Sequence, residues 1–399
     1  MATVFKTFLN DDIATTRTLL HEAIPVHGGI LYGTYDEPGE DDAGTNIKNY
    51  PHRMFQSVYD YPYLSSSANH IFDLTLGVHS DSTSLDGAAD ELSLPKKMRI
   101  YQQMAQVLVG HDTSGQILKF DEDGNILEGG DKLDEVFIIS AARLLNKDEI
   151  KKGSCHIHLD VGREWFNADE ASQKLTLYIS DEGSANDYRV NSPAGDYGIL
   201  RCRVHEVMEK NDEDEWVPTT SESYGDRPEI DNRCGLVYYQ AGVIVLSPSV
   251  FEKYHADDNP NGKLIQVGEP DVEETPIMFD DGVETLVARQ LLGDKDIPTA
   301  CDALRKRIDR LAFNNTTELN STIYFCRVNH NDFNYSSNPT YLQDSKIRVK
   351  ESTEDAPVSY ISTVGLYSAD NELLAVAKLS EVLRKDPTNE MVLRVRLDY

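Results

Sequence analysis

Long apolar runs are missing from this chain. The best of them, Tyr238 to Leu246, falls far short of the roughly 18–20 residues a membrane-crossing helix needs, which excludes that class of membrane protein. Cysteine is sparse: Cys155, Cys202, Cys234, Cys301 and Cys326 form an odd, scattered set with no CxxC pair. That spacing excludes a disulfide framework, and the apolar text around four of them reads as buried reduced thiols. Positive charge is scarce as well, with 38 Lys+Arg against 68 Asp+Glu, a net charge of −30 and a pI near 4.6. A surface of that sign repels phosphates, so nucleic acid and anionic membranes are excluded as partners. The opening residues meet Asp11 and Asp12 with no uninterrupted apolar segment behind them, which predicts no secretory signal and a soluble protein made in the cytoplasm.

Sequence motifs of catalysis are lacking too: there is no GxSxG, no HExxH, no Walker A loop and no GxGxxG after a strand. What the chain does have is core material, 40% hydrophobic residues with 20 Tyr and 12 Phe over 399 positions. Such a chain folds, into about two to three domains on length alone.

The first part opens with Ile13, Leu19, Leu20 and Ile24 near one helical face, with Asp11 or Asp12 to cap and Pro25 to stop it. Met98, Tyr101, Met104, Ala105 and Leu108 recur at helical spacing and end at Gly110. A hairpin is predicted where ILKF and ILEG flank Asp121–Asn125, and Ser154–Gly162 and Lys174–Ile179 alternate as strands do. Two acidic inserts, 209–232 and 255–275, interrupt the strand text. Two helices follow, one capped by Asp280 or Asp281, the other with Ala300, Leu304, Ile308 and Leu311 on one stripe. Toward the end, SYISTVGLY and ELLAVAKLS flank Ala369-Asp370-Asn371, whose residues tolerate left-handed geometry; this is a hairpin.

Candidate chemistry is thin. On a strand His156 and His158 share a face while Cys155 points away, so at most two metal ligands converge. Asp121, Asp123 and Asn125 alternate as calcium-loop oxygens do, without the EF-hand order, and hairpin turns use the same residues. No carboxylate pair stands out among 68 acids. Interaction potential is the stronger signal: Asn49–Phe72 and Asn329–Leu342 mix aromatics with Asn, Ser and Pro, as protein interfaces do. Tyr59, Tyr61, Tyr63, Phe72, Phe333, Tyr335 and Tyr341 are the candidate interface residues, beside the reading that these loops simply lie across the domain's own core.

At these same segments the chain resembles a known group. TTRTLLHEAIP (Thr15–Pro25), NIKNYPHRMFQSVYDYPYLSSSANHIFDLTLG (Asn46–Gly77), KKMRIYQQMAQVLVG (Lys96–Gly110), DEIKKGS (Asp148–Ser154), VYYQAGVIVL (Val237–Leu246), FNNTTELNSTIYFCRVNHNDFNYSSNPTY (Phe313–Tyr341) and YISTVGLYSADNELLAVAKLSEVL (Tyr360–Leu383) are similar to virion structural proteins of contractile-tailed cyanophages and related marine phages. The likeness runs in order across nearly the whole chain. It implies a particle protein of the baseplate or tail periphery, with no catalytic residue to carry over. The phrase TVGLYSADNELLAVAKLS also resembles text in tail-fibre attachment domains.

The expected fold is α+β and β-dominated, with mostly antiparallel, sandwich-like sheets and a few amphipathic helices. Its expected regions are 1–95 for assembly, a central β-rich 96–312 holding both acidic inserts, and a C-terminal β domain at 313–399. The resemblance implies other phage tail or baseplate proteins as partners and carries over no catalytic residue; further copies of the chain are also expected as partners, the charge and the short apolar runs predict no nucleic acid and no membrane insertion, and no metal or cofactor is expected. The alternatives are a receptor-binding or fibre-attachment module, or a particle-borne glycan-degrading enzyme with two carboxylates about 5–9.5 Å apart beside aromatic platforms.

Overall fold

The computed structural model describes residues 6–31, 33, 45–82, 85, 93–126, 132–160, 173–210, 216–218, 233–251, 253–255, 264–266, 278–280, 285–335, 342–343, 346–347, 354 and 357–399. In chain order its first strands are β1 (Ile13–His27), β2 (Ile47–Asn49), β3 (Gln56–Tyr59), β4 (His70–Val78), β5 (Phe120–Asp121), β6 (Lys132–Leu133), β7 (Glu135–Ala141) and β8 (Glu149–Ile150). Then come β9 (His156–Asp160), β10 (Gln173–Ser180), β11 (Tyr197–Lys210), β12 (Trp216–Pro218), β13 (Arg233–Tyr238), β14 (Val243–Leu246), β15 (Lys253–His255) and β16 (Leu264–Gln266). The last are β17 (Met278–Asp280), β18 (Thr285–Val287), β19 (Ile308–Val328), β20 (Leu342–Gln343), β21 (Lys346–Ile347), β22 (Ser359–Tyr367), β23 (Leu373–Lys385) and β24 (Met391–Asp398). Five α-helices are described: α1 (Gly28–Leu31), α2 (Leu94–Leu108), α3 (Arg143–Asn146), α4 (Ala288–Asp294) and α5 (Ile297–Arg305). The fold is a β-dominated α+β fold with a large antiparallel sheet. No helix among the described residues is long and apolar enough to cross a membrane.

Contacts divide the chain into a larger unit, His21–Thr317, and a smaller one made of Met1–Leu20 and Glu318–Tyr399. This differs from three consecutive regions. The division falls inside β1 and inside β19, and a boundary within a continuous strand leaves no change of composition to read.

In the larger unit the strand order is β19-β9-β10-β11-β13-β14-β7-β4-β3-β2. The middle strands are buried on both sides, and so their text is a continuous apolar run rather than an alternation. Leu236 of β13 faces Val245 of β14, Ile244 faces Ile139 of β7, and Ile139 faces Leu74 of β4. Four of the five thiols, at Cys155, Cys202, Cys234 and Cys301, are buried, and Cys326 is half-buried. Helix α2 buries Ile100, Tyr101, Ala105 and Leu108 along one face. It lies so close to β4 that a Cβ at Gly77 would sit 2.8 Å from the Tyr101 Cα. The buried Tyr101 hydroxyl donates to the Leu133 carbonyl (2.6 Å) and accepts from the Phe120 amide (3.2 Å), fastening β5 and β6 to the helix. Lys97, on the same helix, is fully buried and donates to the carbonyls of Leu292 (2.8 Å) and Lys295 (2.5 Å), so its charge sits at the C-terminal end of α4.

Several predicted elements fold otherwise. The opening segment is a strand, β1, not a helix: pairing with β19 overrides the helical spacing, with the Glu22 amide donating to Asn315 Oδ1 (3.1 Å). Pro25 is tolerated because β1 is the terminal strand of the sheet. Asp12 caps no α-helix; its carboxylate accepts the Leu9 amide (3.0 Å) and pairs with Arg327. Asp280 lies in β17 and α4 begins only at Ala288, while Asp281 lies outside the described residues. Helix α5 stops at Arg305, so Ala300 and Leu304 are helical whereas Ile308 and Leu311 belong to β19, where Ile308 faces Leu159 of β9. All four side chains are nevertheless buried, which is why one stripe fitted both backbones. The hairpin around Asp121 pairs Phe120–Asp121 with Lys132–Leu133 instead of with ILEG, most of which is outside the described residues, as are most of both acidic inserts.

Replacing Gly77 by Ala is expected to destabilise the larger unit by about 1–3 kcal/mol through overpacking against α2. Urea unfolding checks this, and an unchanged midpoint would contradict so close a helix–strand contact.

Candidate interaction surfaces

The aromatic segment of the larger unit is built on the antiparallel trio β2, β3 and β4 at one end of its sheet. Tyr50 stacks on His52 at 5.1 Å and meets Phe55 at 4.7 Å, and the Lys48 ammonium lies 4.8 Å from the Tyr50 ring centre and 5.7 Å from that of Tyr63. Tyr59 contacts Tyr63 (6.2 Å) and His70 (5.4 Å). Of the four candidates here, the structure therefore joins Tyr59 and Tyr63 in a self-packed cluster, while Tyr61 is exposed, as is Leu64. Phe72 is corrected: it is 1% exposed, in the hydrophobic core on β4, because it occupies an inward position of a strand between β3 and β7. Tyr50, His52 and Lys48 were not singled out from sequence, where nothing distinguishes them from neighbouring loop polars.

The smaller unit presents the other candidates. Phe333 and Tyr335 sit on a loop that Lys385 secures, its buried ammonium donating to the His330 carbonyl (3.1 Å) and Asn334 Oδ1 (2.6 Å). Phe333 adopts a left-handed backbone, φ 54°, and its carbonyl accepts the Ser359 hydroxyl. Both rings are left exposed. Tyr341 lies outside the described residues.

Beyond that loop, β22 and β23 form a two-stranded sheet of their own. Asn371 closes their turn with φ 64°, the geometry for which Asn is suited. Cross-strand partners share a face, so Val364 with Ala377 and Leu366 with Ala375 make one apolar side, and Gly365 with Val376 and Tyr367 with Leu373 make the other. A Cβ at Gly365 would touch the Tyr367 ring at 3.0 Å and Leu373 at 3.4 Å, so the Tyr367 ring lies over the glycine. Leu374 and Val376 stand 68% and 59% exposed. The signal for this ribbon in the sequence was the near-continuous apolar text LLAVAKLSEVL, which a strand with one solvated face does not carry.

Groups with the look of chemistry are engaged internally. His156 and His158 flank Tyr178 of the neighbouring strand, at ring distances of 5.3 and 5.1 Å. Asp121 accepts the amides of Asp123 and Gly124 (3.0 Å each) and pairs with Lys132, whose ammonium stands where a cation would. Burial pushes that carboxyl up, but the bonds from Asp123 and Lys132 outweigh it and hold it below the usual range. Asp181, buried, accepts the amides of Gly153 (2.7 Å) and Cys155 (2.9 Å) and the Tyr239 hydroxyl (2.9 Å), so it ties a turn to the sheet. Among the described residues no three His, Cys, Asp or Glu side chains converge as metal ligands would.

One pH dependence follows in the aromatic cluster. The bond that His70 Nε2 donates to the Asp73 carboxylate (2.9 Å) raises the imidazole's pKa, against burial, which lowers it. A raised folded value means that the pair's stabilisation is full below about 6.5, the unfolded value, and is lost as the pH climbs through the folded one. An NMR titration of His70 is expected to give a midpoint above that of the Asp73→Asn variant, and equal midpoints would contradict the contact. No family model, no curated protein and no solved structure matches the chain.

Proposed function

We propose that this chain is a non-catalytic structural component of a contractile-tailed phage particle, placed in the baseplate or tail periphery and acting by binding other tail proteins. The observation that carries the reading is the smaller unit, in which an apolar ribbon and the rings of Phe333 and Tyr335 are exposed together. Exposed apolar side chains gathered on one sheet face are a mark of an interaction surface. Its charge agrees: the smaller unit has eleven Lys+Arg and fourteen Asp+Glu, a net of −3, so the remaining −27 of the chain belongs to the larger unit. A strongly acidic larger unit keeps the free chain soluble, while the near-neutral unit can approach a partner with little repulsion. The sequence likeness to phage virion proteins supplies the setting. Fibre attachment is the second and weaker reading, favoured because the ribbon coincides with the one phrase that resembles text in fibre-attachment domains.

Antibody-gold labelling of intact and contracted particles is expected to mark the baseplate or tail side, and absence of the chain from particles would overturn the proposal. The Phe333→Ala/Tyr335→Ala variant is expected to enter particles several-fold less than the parent, as hot-spot aromatics do when truncated. Its thermal midpoint should stay unchanged, and equal incorporation would remove these rings from the interface.

A further inference from the structure

The cross-strand pair Asp121 and Lys132 of the β5–β6 hairpin differs from an ordinary ion pair in where it sits and in what surrounds it. The Asp121 side chain is 1% exposed, whereas the carboxylates paired with Lys6, Lys119 and Lys152 are 28–65% exposed. Its Oδ1 accepts two backbone amides, those of Asp123 and Gly124 at 3.0 Å each, in a turn where Gly124 adopts φ 75°. Its Oδ2 meets the Lys132 Nζ, which also donates to the Ile126 carbonyl (3.1 Å). The Asp123 carboxyl is hydrogen-bonded to that of Asp121 and is itself held by the Asn125 backbone amide (3.0 Å) and Nδ2 (2.8 Å). An amine nitrogen, a carboxyl carbon, two donors on one oxygen and a second carboxyl are thus gathered around a side chain closed to water.

From this we infer that Lys132 and Asp121 join covalently, through an amide between Nζ and Cγ that the folded chain forms by itself. The ion pair is the starting state. One proton passes from the ammonium to Oδ2 and leaves an amine and a carboxylic acid, a neutral pair that is minor beside the charged one and is consumed as it forms. The Nζ lone pair attacks Cγ while the carbonyl π pair moves onto Oδ1, where the Asp123 and Gly124 amides meet the developing negative charge. The Asp123 carboxyl takes a proton from Nζ and delivers one to the Oδ2 hydroxyl. The Cγ–Oδ2 bond then breaks with its electron pair, Oδ2 leaves as water, and the carbonyl reforms. Nothing is oxidised or reduced, and the balance is one water lost. Strand pairing holds the amine against the carboxyl, so the step is intramolecular, and the burial of Asp121 keeps water from the reverse reaction. The bond closes residues 121–132 into a covalent ring and locks together β5 and β6, the strands that Tyr101 fastens to α2.

Mass spectrometry of the purified full chain tests this, with no need of a partner or a particle. The intact mass is expected to fall short of the sequence mass by one water, and trypsin should leave Lys132 uncut, in a branched peptide whose fragments join it to Asp121. A chain of full sequence mass overturns the proposal. So does a water loss mapped to another position, such as a succinimide at Asp123-Gly124, which hydroxylamine cleaves and an amide cross-link survives. Lys132→Arg keeps the positive charge beside Asp121 but offers no comparable nucleophile, and the folded variant should show the full mass; a variant still short of one water overturns the proposal as well. Asp123→Asn should slow the step about a hundredfold, so that the freshly made variant keeps its full mass, and cross-linking as complete as in the parent would overturn the proton route through Asp123.

Discussion

A sheet two strands wide cannot bury either of its faces in itself, and that constraint governs the smaller unit. An isolated hairpin is at best marginal in water, because it has no third strand or helix to pack against. Among the described residues of the smaller unit the buried apolar side chains are Val328 and Leu366, each worth roughly 1.5–3 kcal/mol. What else holds the unit is polar. Lys385 gathers the loop before β22, Ser321 bonds Asp398 (2.5 Å) where β19 meets β24, and Arg327 pairs with Asp12. Net contributions of about 0.5–1.5 kcal/mol per hydrogen bond fix geometry without supplying a core. The assembly proposal supplies a further layer to this ribbon from another chain.

The larger unit shows the opposite balance. Its central strands are apolar on both sides, and α2 presses directly on β4 at Gly77, with Tyr101 and Lys97 spending their polar atoms on backbone carbonyls. The same unit carries −27 of the chain's net charge. The two units therefore differ in their cores: among the described residues nearly all the buried apolar side chains belong to the larger one.

Much of this was legible in the sequence where the local signal and the tertiary environment agree. Helix α2 and its end at Gly110 (φ 97°), the alternation in β9 and β10, and the ribbon turn at Asn371 follow from spacing and turn chemistry alone. The failures share a cause. Ile13, Leu19, Leu20 and Ile24 fit a helical face, yet a strand forms because β19 is there to pair with it. Ile308 and Leu311 continue the stripe of α5 after the backbone has become β19. Phe72 looked like its aromatic neighbours and is core, since composition does not tell which side of a strand faces inward. Of the interface candidates among the described residues, Tyr61, Phe333 and Tyr335 are the exposed rings, and the ribbon itself was missed as a surface because its apolar text also fits a strand buried on both sides.

Hydrogen–deuterium exchange on the free chain and on the chain within its assembly tests the central claim most directly. The account predicts that amides of β22 and β23 exchange fast in dilute free chain and become protected on assembly, while β7, β13 and β14 are protected in both. Equal, strong protection of β22 and β23 in the dilute monomer would mean that the ribbon is complete by itself, and would contradict the account.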